Sequence, residues 1–289
     1  MEDFKINEKN KDRLFRFLFG NAEYKDNALS LYNAVNGTDY KNVDDITFYT
    51  IDDIIYIHMK NDVAILFNSS LSLWEHQSTY NPNMPLRGLI YFGSMYGKYI
   101  KQNHKNIYGE SLIKIPCPKY CVFYNGTKDR PAVEKIRLSS AFESKDDSGD
   151  FEWTATMYNL NSGKNEELLR KCRVLSEYMS FVNAVRKNYE EGMDAEVAVD
   201  RAVTECIQNG ILADYLRGHR AEVIAMILTE FDEEAYRKGI FEEGHKEGLS
   251  QGRLEILLSL VKDGSLTVEK ASAKLNISVE EFEKMMSDN

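Results

Sequence analysis

The sequence predicts an α/β protein in which a mixed β-sheet is flanked by helices and followed by an α-helical C-terminal region. Apolar residues recur at helical spacing before residue 36 and again after residue 166. Between residues 46 and 160 the chain holds short runs of β-branched and aromatic residues, which favour strands. Helices, then a hairpin, a helix and further strands are typical of a sheet with helices packed on it.

Two helices are predicted before the first strand. One spans 7–20, and the other runs over about 24–35 and ends at Asn36-Gly37, a typical helix stop. The segments 46–51 and 54–57 are β-branched and aromatic and are bounded by aspartates, which predicts two short strands.

The stretch that follows predicts a β-hairpin, because two short apolar runs flank the turn cluster Asn68-Ser69-Ser70. With the turn at the first two residues of this cluster, Asp62 lies opposite Glu75. With the turn moved by one residue, Asp62 lies opposite Gln77 instead. Side chains alternate between the two faces of a strand, so these three polar side chains share one face in either register.

Two carboxylates at cross-strand distance have a chemical use. They repel each other, and a hard cation such as Mg²⁺, which prefers oxygen ligands, relieves that repulsion. The bound cation polarises a phosphate and lowers the pKa of a bound water. The alternative is that Asp62 caps the start of a strand while Glu75 points into solvent.

A helix is predicted from Pro85 to about Lys101, since proline suits the first helical position. The apolar residues expected to face inward are Leu86, Leu89, Ile90, Met95, Tyr96 and Tyr99. Arg87, Lys98 and Lys101 are left for the outer side, beside the hairpin, where they are candidate contacts to phosphate. For Arg87, an ordinary ion pair is the alternative. Further strands are predicted over 113–118, 120–124, 138–142 and 151–160.

The charge is unevenly distributed. The whole chain has a formal net charge of −10, which argues against a surface coated with nucleic acid. Residues 84–138 nevertheless contain ten basic and three acidic residues, a local charge of +7. A basic segment on an acidic protein suits a protein that holds phosphate in one place. Scattered, solvated lysines on loops are the alternative.

Composition limits the class of protein. The 289 residues are 43% hydrophobic and 11% aromatic, ordinary values for one sizeable core with appendages. No apolar run approaches a membrane span and the N-terminal residues lack a signal-peptide core, so a cytoplasmic protein without a membrane partner is expected. The cysteines lack zinc spacing and are expected to be buried free thiols. They are Cys117, Cys121, Cys172 and Cys206.

After residue 166 the pattern becomes helical. Helices are predicted over 166–189, 194–209, 211–217 and 221–231. A helix with repeated glycines follows, in which each interior glycine costs about 1 kcal/mol relative to alanine. These residues are Gly239, Gly244, Gly248 and Gly252. The repeated cost predicts close approach to another helix, and hence a homo-oligomer, with a flexible helical linker as the alternative.

Residues 254–289 predict a short helical bundle resembling a helix-turn-helix. Thr267 is expected to cap one helix, and Ser278-x-x-Glu281 forms a capping box for the last. A helix that reads DNA is usually basic, whereas the segment 279–288 is acidic. The bundle is therefore expected to be an interaction module.

Asp62, followed by Glu75-x-Gln77, resembles the Asp…Glu-x-(Lys/Gln) signature of the PD-(D/E)XK nuclease superfamily. More narrowly, the chain resembles the recombination-promoting nuclease family, whose members are also described as transposases. The likeness lies in 11–20, 29–34, 75–77, 159–165 and the glycine-spaced helix. The resemblance implies a restriction-endonuclease-like core.

The resemblance also implies a DNA endonuclease that depends on Mg²⁺ or Mn²⁺. Asp62 and Glu75 would bind the metal with the backbone carbonyl of His76, and Gln77 would orient the water or the transition state. Many members have lysine in place of Gln77. Glutamine has no positive charge and cannot act as a general base, so charge stabilisation must come from the metal or a nearby arginine.

The domains expected on this basis are a nuclease core over 1–165, a helical extension over 166–231, the glycine-spaced helix over 232–253 and the small helical module over 254–289. Glu23 or Asp26 as a further acid at the metal site is left open. Two rival functions remain. One is a catalytically inactive nuclease fold that binds DNA or protein, and the other is a helical assembly factor acting through 231–289.

Overall fold

The computed structural model describes residues 14–49, 63–146, 148–228, 252, 254–275 and 277–287. The chain divides into two compact units, Met1–Phe231 and Asp232–Asn289. Several sequence predictions fall outside the described residues: those for Asp62, for the strand over 54–57 and for most of the glycine-spaced helix, including Gly239, Gly244 and Gly248.

The first unit is built on a mixed sheet, whose described strands follow the order β1-β2-β3-β4-β6-β5. The strands are β1 Thr47–Phe48, β2 Val63–Phe67, β3 Ser70–Gln77, β4 Cys117–Tyr124, β5 Val133–Arg137 and β6 Thr154–Asn159. Strands β1 to β3 are antiparallel, β3, β4 and β6 run parallel, and β5 is antiparallel to β6. The predicted α/β class with a mixed sheet is therefore confirmed.

Helices cover both faces of this sheet. They are α1 Leu14–Gly20, α2 Lys25–Asn36, α3 Met84–Gln102, α4 Glu166–Lys171, α5 Arg173–Glu190, α6 Ala195–Gln208 and α7 Ala213–Gly218, and residues 220–228 are also helical. Helix α3 packs on one sheet face around its own apolar core, and the remaining helices of the unit share a core on the opposite face. Among the described helices, none combines the length and the apolar character needed to cross a bilayer.

Three sequence predictions differ from the observed elements. Residues 113–116, predicted as part of a strand, lie in the loop before β4. Residues 138–142, predicted as a strand, contain a 3₁₀ turn, and the edge strand is formed by the preceding residues 133–137. Ile136 is the one buried side chain of that strand, so its pattern is too polar to be recognised from hydrophobic alternation. The predicted helix over 166–189 is divided at Cys172, whose backbone is extended.

The inward face of α3 also differs from the prediction. Leu86 and Ile90, expected to face the core, are 46% and 43% exposed. The face that packs on the sheet is instead formed by Met84, Pro85, Gly88, Tyr91, Phe92 and Met95. Gly88 lies on this buried face, where it lets the helix approach the sheet closely. A hydrophobic pattern does not identify a glycine as a contact residue, and this is why the face was predicted wrongly.

The second unit contains a small helical bundle with an apolar core around Phe282. Its described helices are 254–262, Val268–Leu275 and Val279–Ser287. Ser278 Oγ accepts a hydrogen bond from Glu281 N at 3.2 Å, and the Glu281 carboxylate accepts one from Ser278 N at 2.9 Å. The bonds to Ser278 hold the pKa of Glu281 below its ordinary value. The predicted capping box is confirmed.

All four cysteines are free thiols, but Cys117 is exposed whereas the others are buried. Burial raises the pKa of Cys121 to about 12 and that of Cys206 to about 11, and it also raises the pKa of Cys172. The expectation that all four are buried is wrong for Cys117, which lies at the start of β4.

This difference gives a simple test of the fold. A thiol reagent at pH 8 is expected to modify one cysteine quickly in the folded protein and all four after unfolding, because the thiolate is the reactive form. The Cys117→Ser variant is expected to lose the fast reaction, as measured by absorbance of the released reporter. Fast labelling that persists in this variant would contradict the burial of the other three thiols.

Candidate active site

The β2–β3 hairpin is closed by a two-residue turn at Asn68 and Ser69. Both residues have positive φ, 47° and 57°, as the type I′ hairpin turn requires. The register runs from this turn to the pairing of Val63 with Trp74. This is the first of the two predicted registers. Asp62, whose partner depends on the register, lies outside the described residues.

Alternation along β3 sends Glu75 and Gln77 toward α3, the same side as the apolar core beneath that helix. Glu75 is 1% exposed, so the alternative in which it points into solvent is wrong. His76 points to the opposite face, where its ring stacks on Phe15 and its Nε2 lies 3.3 Å from Tyr178 Oη. The imidazole is therefore on the wrong face to join Glu75, and a metal-binding role would fall to the backbone carbonyl of His76, as predicted.

The buried Glu75 carboxylate is held by three side chains. Arg87 Nη2 lies 2.5 Å from Glu75 Oε1, and Gln77 Nε2 donates to the same oxygen at 2.5 Å. Tyr120 Oη, on the neighbouring strand β4, donates to Glu75 Oε2 at 2.7 Å. Burying a carboxylate costs several kcal/mol unless it is paired and hydrogen-bonded. These contacts meet that requirement and fix the orientation of the carboxylate.

Arg87 reaches Glu75 because α3 lies close to the sheet at this point. A Cβ at Gly88 would come within 2.5 Å of the Tyr120 ring, so only glycine leaves room for that ring. Arg87 also donates from Nε and Nη2 to Tyr91 Oη, at 3.1 and 3.0 Å. Its side chain is 29% exposed. Arg87 therefore contacts the buried carboxylate while part of its own side chain is exposed to solvent. The ion pair that the sequence analysis considered for Arg87 is present.

Gly88→Ala tests this close approach. We expect the substitution to lower the free energy of unfolding by about 1–3 kcal/mol, the usual effect of overpacking, because either the Tyr120 ring or the helix must move. Gly93→Ala is the matched control, since a Cβ at this exposed position of α3 would meet no atom within 4 Å. Alanine there is expected to stabilise the helix by up to about 1 kcal/mol. Urea unfolding of both variants measures the difference, and equal effects would contradict the packing.

The other predicted phosphate contacts lie farther along α3. Lys98 is eleven residues after Arg87, about three helical turns, so both residues lie on nearly the same side of the helix. Its Nζ lies 6.0 Å from the centre of the Tyr49 ring. Lys101 is exposed in the last turn. The structure therefore brings Arg87 together with Glu75 but leaves both lysines farther along the helix.

The described residues can be compared with the oxygen ligands that a metal ion would need. A carboxylate and a backbone carbonyl are the kinds of oxygen that Mg²⁺ takes, so Glu75 and His76 fit such an ion in chemical type. These two ligands are too few for an ion that takes six. Within the described ranges, no group of three histidine, cysteine, aspartate or glutamate side chains is placed to hold a metal. Glu75 also has an arginine beside it. Asp62, the other predicted ligand, lies outside the described residues.

The segment 159–165, which carries part of the family resemblance, has an architectural role. Asn159 Nδ2 donates to the Arg130 carbonyl at 2.8 Å, and Asn161 Nδ2 donates to the Gly126 carbonyl at 2.8 Å. Asn165 Nδ2 donates to the backbone carbonyls of Ala132 and Asn159. These amides connect the end of β6 to the loop after β4, the strand that pairs with β3.

Tyr120 and Tyr91 are site residues that the sequence analysis missed. Tyr120 pairs with Leu73 across β3 and β4, and its hydroxyl reaches Glu75. Alternation within 117–124 places Tyr120 on a defined face, but the sequence does not show which face is shared with Glu75. Tyr91 lies four residues after Arg87, a spacing that places two helical side chains side by side and that serves as a signal for their contact.

Comparison with family models, with curated proteins and with solved structures found no match for this chain. Its function is therefore inferred from its own side chains, above all from the buried pair of Glu75 and Arg87.

Proposed function

We propose that this protein is a metal-dependent endodeoxyribonuclease that hydrolyses phosphodiester bonds in DNA, acting in the cytoplasm and linked to recombination or transposition. The observation that carries the proposal is the buried carboxylate of Glu75 on the central strand β3. The hairpin has the register for which the sequence predicted Asp62 opposite Glu75. A buried acid at a sheet surface with a cation beside it is a candidate functional site on physical grounds.

In this proposal Asp62, Glu75 and the His76 carbonyl hold Mg²⁺ or Mn²⁺. When bound, the metal polarises the phosphate and lowers the pKa of a bound water. Gln77 is suited to orient water, because its amide nitrogen donates to Glu75 while its carbonyl oxygen accepts hydrogen bonds. Its neutral side chain takes no proton, so Gln77 acts by position alone.

Arg87 supplies the positive charge that Gln77 lacks. A guanidinium binds phosphate through two parallel hydrogen bonds, and Arg87 is both partly exposed and adjacent to Glu75. Lys98 and Lys101 continue the positive charge along α3, where they would hold the DNA backbone at a distance from the reacting phosphate.

A catalytically inactive fold that binds DNA or protein is the second candidate. The observation that favours it is the same ion pair, since Arg87 already neutralises Glu75 without a metal. The two functions differ in a measurable way, because a binding protein keeps its affinity for DNA when the carboxylates are neutralised.

The deciding experiment is nicking of supercoiled plasmid with Mg²⁺, with Mn²⁺ and with EDTA, combined with calorimetric titration of the metal. We expect nicking and metal binding that both depend on Asp62 and Glu75. Inert protein with either metal, or nicking that survives Asp62→Asn, would overturn the proposal and leave the binding protein.

A further inference from the structure

The loop between α3 and β4, residues 103–116, exposes an unusual amount of apolar surface. Tyr108 is 92% exposed and Leu112 is 82% exposed, and Ile107 and Ile115 are 55% and 49% exposed. Isolated apolar side chains are common on protein surfaces, but a cluster within nine residues indicates a binding surface.

Hydrogen bonds hold the loop at an internal turn and at its C-terminal end. Asn106 Oδ1 accepts a hydrogen bond from Tyr108 N at 3.0 Å, which closes a turn beneath the tyrosine. Tyr96 Oη, on α3, donates to the Pro116 carbonyl at 2.7 Å. Cys117 N then donates to the Ser69 carbonyl at 2.8 Å, joining the end of the loop to the β2–β3 turn.

Basic residues lie close to the apolar cluster in the chain. Lys101, Lys105 and Lys114 flank it, and Glu110 is the one acidic residue of the loop. In the part of the chain that the structure describes, none of these three lysines has a carboxylate oxygen within 4 Å. A local surplus of cations on a chain of net charge −10 is suited to a polyanion.

Basic residues of α3 lead from the candidate active site toward the loop. Arg87 at the candidate active site and Lys98 lie on one side of α3, about 16 Å apart along the helix axis, and the loop begins at the end of this helix. That distance spans about five nucleotides of one strand at 3.4 Å each. A nucleic acid strand lying along α3 would therefore pass Arg87, the partner of the buried Glu75, and continue toward the loop.

We propose that this loop binds DNA bases that are unpaired, with Tyr108 stacked on a base, Leu112 inserted beside it, and Lys101 and Lys105 on the adjoining phosphates. A protruding tyrosine with lysines around it is the arrangement by which proteins hold single strands, since every base has a face on which to stack. This inference rests on the proposed function, and it assigns to the same site a preference for single-stranded or gapped DNA.

The test is binding of a short oligonucleotide containing 2-aminopurine, in EDTA, so that no cleavage is needed. Fluorescence anisotropy gives the affinity, and quenching of 2-aminopurine reports stacking. Tyr108→Ala is expected to weaken binding of the single strand at least about fivefold and to abolish quenching, the usual result of removing a stacked aromatic. Tyr108→Phe is expected to bind within about twofold of the parent, because phenylalanine keeps the stacking face.

Phe151→Ala is the matched control. Phe151 is also an exposed aromatic, 54% accessible, but it lies between Asp150 and Glu152, where a polyanion would be repelled. We expect this variant to bind like the parent. Both positions are exposed, so thermal unfolding is expected to stay unchanged in all three variants.

The proposal is overturned if Tyr108→Ala binds the single strand like the parent, if the fully paired duplex binds as tightly as the single strand, or if the loop binds vesicles of anionic phospholipid and no oligonucleotide. Failure of the nuclease proposal has a different signature. Tyr108-dependent binding without plasmid nicking would support the loop assignment and contradict the enzyme, whereas nicking with unchanged binding in Tyr108→Ala would do the reverse.

Discussion

Glu75→Gln is expected to abolish metal-dependent nicking, lowering the rate at least about 100-fold. Even an outer partner of a metal ligand costs about 10–100-fold when removed, and Glu75 is proposed to bind the ion directly. The substitution keeps the shape of the side chain and an oxygen that accepts from Tyr120. It removes the negative charge and replaces the oxygen that faces Arg87 and Gln77 with an NH2 donor. Arg87 then loses its partner but is partly exposed and can turn toward water.

The measurement is plasmid nicking at several metal concentrations, with calorimetric titration of the metal on the same preparations. We expect weaker metal binding in parallel with the lost activity, which separates a ligand from a residue that only positions DNA. Glu134→Gln is a suitable control, because Glu134 pairs with Arg130 away from Glu75. Full activity in Glu75→Gln would remove this carboxylate from the site.

The β2–β3 hairpin shows how much of the candidate site was open to prediction. Asn68 tolerates the left-handed conformation of a type I′ turn, and the alternation of a strand is strict. The shared face of Glu75 and Gln77 therefore follows from local rules and is confirmed. The sequence left two turn positions open, and the structure has the one at Asn68 and Ser69.

The direction of Arg87 was not open to prediction in the same way. A basic residue on an amphipathic helix is expected to face water, and the apolar residues Leu86 and Ile90 were expected to face the sheet. The packing reverses part of this pattern, because Gly88 lets the helix approach Tyr120 and a buried carboxylate lies opposite Arg87. The rotation of α3 about its axis depends on residues of α3, β3 and β4 together. The sequence of α3 alone therefore does not predict it.

Strand β5 was missed for a related reason. Its side chains are mostly polar, and it is the last strand at one edge of the sheet formed by the described strands. Its extended conformation depends on pairing with β6, so the residues of β5 alone do not indicate a strand. The helical pattern after residue 166, by contrast, was identified because apolar residues recur on one side of each helix.

Arg87→Ala is expected to lower the free energy of unfolding by about 3–5 kcal/mol, the usual result of removing one partner of a buried ion pair. Glu75 is 1% exposed, so its carboxylate would keep its desolvation cost without this cation. The unit that contains the pair has 231 residues, and for that size each kcal/mol lowers Tm by about 2–4 °C. Urea unfolding and thermal melting measure the loss.

The double variant Arg87→Ala with Glu75→Gln separates the charge from the packing. A neutral glutamine needs no cation, so we expect the second substitution to restore most of the stability that the first one removes. Arg201→Ala is the matched control, since Arg201 pairs with Glu205 on the exposed side of α6. Exposed pairs contribute about 1 kcal/mol or less, so this control is expected to change stability little.

Equal losses in Arg87→Ala and in Arg201→Ala would contradict a charge-specific role for the buried pair. A double variant no more stable than Arg87→Ala alone would do so as well, and would assign the effect to packing against Tyr91. If the double variant is restored, Glu75 requires a cation in order to stay buried and charged. Arg87 then supplies that cation, and under the proposed function a metal bound at Glu75 would take over the same electrostatic role and leave the guanidinium for the phosphate.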